Sequence, residues 1–157
     1  MKKDIDVFFE AIRSGDKDRL EALININPKL IGEKDARGFT PLILATYFDN
    51  DVATEILINH KADLNAKDAS GNTALIGVSF KGNIALATTL LEHGADINAV
   101  NTNGITALTF ATQYNKIDIV KLLLEHNADT SIKDSDGKMA LDYAKDKHYN
   151  EIVALLE

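Results

Sequence analysis

Residues 104–129 read "GITALTFATQYNKIDIVKLLLEHNAD", and two landmarks in this stretch return along the chain at a single interval. Thr106 opens "TALTFATQYNK"; Thr40 opens "TPLILATYFDN", Thr73 opens "TALIGVSFKGN" and Met139 opens "MALDYAKDKHY", each 33 residues from the next. His126 stands before "NADTSIKD", and His60 and His93 occupy the matching places, again 33 residues apart. Two independent markers that share one period define a repeat, and a period of this size is the signature of stacked supersecondary units.

Each unit reads as turn, helix, turn, helix. Thr40 is placed to cap a helix, because its hydroxyl accepts from an otherwise orphan amide of the first turn. Pro41 follows at the one helical position where a missing N–H costs nothing. Leu42 and Ala45 share a face, as do Leu75 with Val78, Leu108 with Ala111, and Leu141 with Ala144. Each first helix is only about two turns long, so packing must hold it. In the second helix Ile119, Leu122 and Leu123 form an apolar stripe, with Asp118, Lys121 and Glu125 off it. Gly94 and Asn127 end their helices in the left-handed conformation that both tolerate. Lys61 takes the same place in the preceding unit, at a local cost of about 1 kcal/mol. Between units lie "KDASGN", "VNTNGI" and "KDSDGK". The Asp or Asn side chain bonds the local backbone there and glycine supplies positive φ, which predicts projecting, hairpin-like loops rather than a sheet.

On these residues the chain resembles the ankyrin-repeat family. "GFTPLILA", "GNTALIGV" and "GITALTFA" match the family's G-x-T-P-L-H-x-A, and "LLEHGADINA" matches its second helix and exit. The fold class expected is an all-α repeat solenoid of helix-turn-helix units joined by hairpin-like loops. Residues 1–157 form a single ankyrin-repeat domain on this reading, with units at 5–38, 39–71, 72–104, 105–137 and a partial capping unit at 138–157 that stops early in its second helix. The family's histidine after the leucine is replaced by Ile43, Ile76, Thr109 and Asp142, and its proline survives only at Pro41. The first unit carries one extra residue in its following loop, "NINPKLIGEKDARG".

Composition narrows the class of activity. Hydrophobic residues make up 45% of the 157, as in an ordinary folded domain. A net charge of −7 argues against nucleic acid and against an anionic membrane surface. The chain has no cysteine, which excludes disulfides and thiolate chemistry. Charges at Asp4, Asp6 and Glu10 interrupt the apolar residues near the start, so no signal-peptide core is read and a cytoplasmic location is the default expectation. Zinc ligands lie about 2 Å from the ion, whereas equivalent residues of stacked units stand a helix-packing distance of about 8–10 Å apart. The periodic histidines are therefore expected to bond the last carbonyls of their helices, and His148 to be solvated on a polar terminal helix. "SGNTALIG" lacks the Lys-Ser/Thr of a phosphate loop, and no G-x-S-x-G elbow occurs. A stack of repeats is also expected to lack a deep apolar pocket. No enzyme, cofactor or metal site is expected.

The resemblance implies that hairpin tips and the exposed side of the first helices line one concave surface where a protein partner binds. Arg37, Phe39, Tyr47, Phe48, Phe80, Lys81, Ile105 and Tyr114 map there. Aromatic and arginine side chains are the usual anchors of protein interfaces. Seam packing between units competes with this reading, most of all for Phe39 and Ile105. The expected function is a non-catalytic protein-binding module, monomeric, with no nucleic-acid or membrane partner. The alternative is an inhibitory or immunity-type subunit that blocks an enzyme or toxin from the same face, and a self-associating scaffold is a weaker third.

Overall fold

The structure, a computed structural model, describes residues 3–157. Its helices come in consecutive pairs: α1 (Asp4–Ser14) with α2 (Lys17–Ile26), α3 (Pro41–Tyr47) with α4 (Asp51–Asn59), α5 (Ala74–Lys81) with α6 (Ile84–Glu92), α7 (Ala107–Gln113) with α8 (Ile117–Glu125), and α9 (Ala140–Asp146) with α10 (Asn150–Leu156). Among the described residues there is no strand. The first helices α1, α3, α5, α7 and α9 pack each on the next, and most of the second helices stack behind them. This is an all-α solenoid of two helical layers.

Local chemistry sets where the helices begin. Thr40, Thr73 and Thr106 accept hydrogen bonds from the amides of Ile43, Ile76 and Thr109. Met139 has no hydroxyl to offer; instead the Asp142 carboxylate accepts from the Met139 amide at 2.8 Å. Of the residues that replace the expected histidine, Ile43 and Ile76 are buried apolar groups, and the Thr109 hydroxyl meets that of Thr106 at 3.3 Å. Asp16, Asn50 and Asn83 cap α2, α4 and α6 in the same manner.

The core runs the length of the stack. Leu42, Leu75 and Leu108 are buried together with Ala45, Val78, Ala111 and Ala144, whose small volumes let neighbouring helices approach. In α8 the buried residues are Ile119, Val120 and Leu123, while Leu122 is only half-buried. The apolar stripe is thus turned from the predicted Ile119–Leu122–Leu123 set, because α8 is covered both by α7 and by its stack neighbours α6 and α10. The last second helix also differs from expectation. α10 runs seven residues with Ile152 fully buried, against nine in α4, α6 and α8. After α2 a 3₁₀ turn over Pro28–Gly32 takes up the longer first loop and buries Leu30.

Every hairpin repeats one device. The side chains of Asp35, Asp68, Asn101 and Asp134 each accept from the amides two and four residues ahead. Gly38, Gly71, Gly104 and Gly137 close these turns at positive φ. The tips do project, yet they are not isolated. The Ala69, Thr102 and Ser135 amides donate to the Arg37, Ser70 and Asn103 carbonyls at 3.0–3.3 Å, one main-chain bond per step.

Lys61, Gly94 and Asn127 are left-handed after their second helices, with Lys61 at φ 66°. Replacing the exposed Lys61 with glycine is expected to raise stability by about 0.5–1 kcal/mol, read as a higher urea midpoint. An unchanged midpoint would mean that this backbone carries no strain. His148 lies in the turn between α9 and α10 at φ 58°, not on a helix as expected. It is exposed.

Candidate protein-binding face

The C-terminal ends of the first helices and the hairpin tips carry most of the exposed rings. Tyr47, Phe48, Phe80 and Tyr114 are 51%, 44%, 44% and 50% exposed, whereas Phe39 and Ile105 are half-buried. The helices α3, α5 and α7 end after about two turns, and the residues at or next to their last position, Tyr47, Phe48, Phe80 and Tyr114, stand half out of the stack.

The rings gather in two groups. In the first, Tyr47 lies 5.9 Å from Phe39 and meets Phe48 edge-on at 5.2 Å. In the second, Phe80 meets Tyr114 edge-on at 4.6 Å, and Phe110 stands 6.2 Å from Phe80 and 6.1 Å from Tyr114. Cations sit over these rings: Arg13 on Phe48 at 5.8 Å, Arg37 on Phe39 at 4.3 Å, Lys81 on Tyr47 at 5.3 Å and Lys147 on Tyr114 at 5.9 Å. An aromatic pair contributes about 0.5–1.5 kcal/mol beyond its burial, and an exposed cation–π contact about 0.5–1 kcal/mol. Such contacts hold the rings in place while about half of each stays in water. A side chain already fixed loses little entropy when a partner covers it.

The flanking charges are tied down as well. Asp35 accepts the Arg37 guanidinium at 2.8 and 3.1 Å. Burial pushes the Asp35 carboxyl up, but the Arg37 side chain and the Phe39 and Arg37 amides outweigh it and hold it below the usual carboxylate range. Asp49, left-handed at φ 53°, reaches into the next unit, where Asn83 and then Lys81 lower its pKa. Lys81 is 2.9 Å from Asp49 and also donates to the Tyr47 carbonyl, and Lys147 donates to the Gln113 carbonyl at 2.9 Å. Both lysines therefore sit on helix C-terminal carbonyls, where a cation is favoured. At the far end Tyr143 donates to Asp134, which pushes the Tyr143 hydroxyl up to about 12.

Between the two ring groups opens a cleft of about 460 Å³. Phe39, Ile43 and Tyr47 of one unit and Thr73, Gly77, Phe80 and Lys81 of the next line it. The cleft is open to the surface, not a deep enclosed pocket. At Gly77, one first-helix position on the cleft carries no side chain, and a Cβ placed there would meet no atom within 4 Å.

Comparison with family models places ankyrin repeats (3 copies) over residues 8–101 and again over 78–157. The chain is an ankyrin-repeat protein. None of the curated proteins compared with it is similar enough to count as a match. Ankyrin repeats are generally protein–protein interaction modules, and the stacked helix pairs described above have that architecture.

Within these ankyrin repeats Arg37, Phe39, Tyr47, Phe48 and Lys81 come together around one ring group, and Phe80 and Tyr114 belong to the other. Ile105 sits apart at the third hairpin, its amide and carbonyl bonded to Asn101. Reasoning from sequence maps Arg13 and Lys147 to this face without counting them among the eight candidates, and it passed over Phe110 and above all Gly77 as participants. The signal for Gly77 was present: stepping by the period gives Leu44, Gly77, Phe110 and Tyr143, one glycine among large side chains.

The histidines follow expectation in two units only. His93 and His126 place Nδ1 at 2.8 and 2.9 Å from the Thr89 and Leu122 carbonyls. His60 instead sets Nε2 2.7 Å from Glu21, joining α4 to α2. Among the described residues no three metal-ligating side chains cluster, and no helix is long and apolar enough to cross a membrane.

Proposed function

We propose that the protein binds a partner protein on the concave face of its ankyrin repeats, through Phe48, Tyr47, Phe80 and Tyr114 with Arg37 and Lys81 beside them. One observation carries the reading: large rings held by neighbours yet about half exposed, gathered on a single face. Scattered apolar residues on a surface need no explanation, but a contiguous set is a candidate interface.

The test is quantitative binding of a captured partner to wild type and to Phe48→Ala, Phe80→Ala and Tyr114→Ala singly. Each variant is expected to weaken binding about tenfold or more. Because only half of each ring is buried, each is expected to cost about 1 kcal/mol of stability, or a few degrees in melting temperature. Glu125→Ala, on the outer face of α8, serves as the control and leaves affinity unchanged. Unaltered affinity across all three ring variants would remove the face from consideration. Assaying the partner's own activity with and without the repeat protein separates an inhibitory subunit from a simple docking module.

A further inference from the structure

We propose that the cleft at Gly77 receives one aromatic or branched aliphatic side chain from the partner, on a segment whose flanking residues are acidic. The proposal rests on the reading of the face given above and specifies what that face recognises.

Size argues for the occupant. At the next step of the stack, Phe110 occupies the place equivalent to Gly77 and packs against Phe80 and Tyr114. In the step where Gly77 stands, the matching places are held by Tyr47 and Lys81, and both line the open cleft together with Phe80. The cleft therefore opens where, 33 residues later, the chain carries a phenylalanine side chain. Glycine is not required there by the backbone or by crowding. Gly77 lies within helix α5, it is absent from the positive-φ glycines, and a Cβ placed on it would meet no atom within 4 Å. A residue that weakens its helix and relieves no clash leaves one structural consequence, open space on the cleft.

Charge argues for the flanks. The carboxylates beside the cleft are engaged, Asp35 by Arg37, Asp49 by Lys81 and Asn83, and Asp68 by the Ser70 and Asn72 amides. Arg37 keeps N–H groups beyond the two that Asp35 accepts. Lys81 has one N–H left after Asp49 and the Tyr47 carbonyl. What remains on offer is donors, so a partner's carboxylates are matched and its cations are not.

A phage-displayed library of random peptides, panned separately on wild type and on Gly77→Leu, tests this. Expected clones carry Phe, Tyr, Leu or Ile with Asp or Glu nearby. Synthetic copies should bind wild type about tenfold or more tightly than Gly77→Leu, and than the same peptide with alanine at the apolar position. As a readout that needs no variant, such peptides should shift the amide resonances of Thr73, Gly77 and Phe80 in wild type. Peptides that bind wild type and Gly77→Leu alike, yet lose Tyr114→Ala, overturn the cleft and leave the face standing. Peptides indifferent to both substitutions overturn both. Enrichment of basic flanks, or of clones with no large apolar residue, overturns the cleft, as does no enrichment at all; the face is then judged by the affinity series above.

Discussion

Gly71→Ala is expected to destabilise the protein by about 2–4 kcal/mol, whereas Gly137→Ala, the same change in an equivalent hairpin, costs about 1 kcal/mol. Both glycines are left-handed, at φ 78° and 73°, so both substitutions carry the steric penalty of about 1–2 kcal/mol for an L-residue there. The difference lies in the neighbour. A Cβ on Gly71 would come within 2.6 Å of the Thr102 amide nitrogen and 2.9 Å of its hydroxyl, while at Gly137 nothing lies within 4 Å. The Thr102 amide and hydroxyl both donate to the Ser70 carbonyl. Alanine at 71 must therefore push adjacent hairpins apart, adding about 1–3 kcal/mol of overpacking strain. Urea denaturation of both variants measures the contrast. Equal costs would show that the hairpins do not nest as closely as the structure has them.

Leu90→Ala is expected to cost about 3–4 kcal/mol. Leu90 is fully buried in α6, and removing a buried leucine leaves both lost transfer energy and a cavity, for about 2–5 kcal/mol. In a stack each unit is stabilised chiefly by its neighbours, so a defect in the middle also uncouples the units on either side. Leu155→Ala, at the half-buried end of the chain, is the comparison and should cost clearly less. Hydrogen exchange should report the central defect as raised exchange in α3 to α8, and the terminal one as raised exchange in α9 and α10 alone. A loss below about 1 kcal/mol at Leu90 would contradict the packing described.

The two experiments bracket what holds the protein together. Hairpins nest through close backbone contacts that only glycine permits, and helices adhere through apolar burial. The proposed binding face depends little on either; its most exposed rings stand where the first helices run out. Half-exposed rings of that kind are open to change with modest loss of stability, which is why single ring variants are suitable probes of the proposed binding.

Much of this was legible in 157 letters. The period appeared twice over, in the threonines and in the histidines, and it implied a solenoid before any helix was placed. Capping by Thr40, Thr73 and Thr106, the Asp/Asn turns and the left-handed Lys61 were all readable, because each depends on residues within about four positions along the chain. Such short-range chemistry leaves its mark in consecutive letters. The burial of Val120 in place of Leu122, the length of α10 and the bond from His60 to Glu21 were not readable. Each depends on what covers a residue from a neighbouring unit.

The eight candidate residues show the same division. The family resemblance implied that Tyr47, Phe48, Phe80 and Tyr114 share one face of the repeat. It could not say that they form two groups, that cations lie over them, or that a cleft separates them. By itself, then, the order of amino acids determined the repeat, the helix starts and the turns, since all of these follow from local hydrogen bonding and from similar units added in register. Only the tertiary structure decided where the surface is full and where it is hollow. That is set by one unit's side chains meeting the next unit's, and at Gly77 there is no side chain to meet.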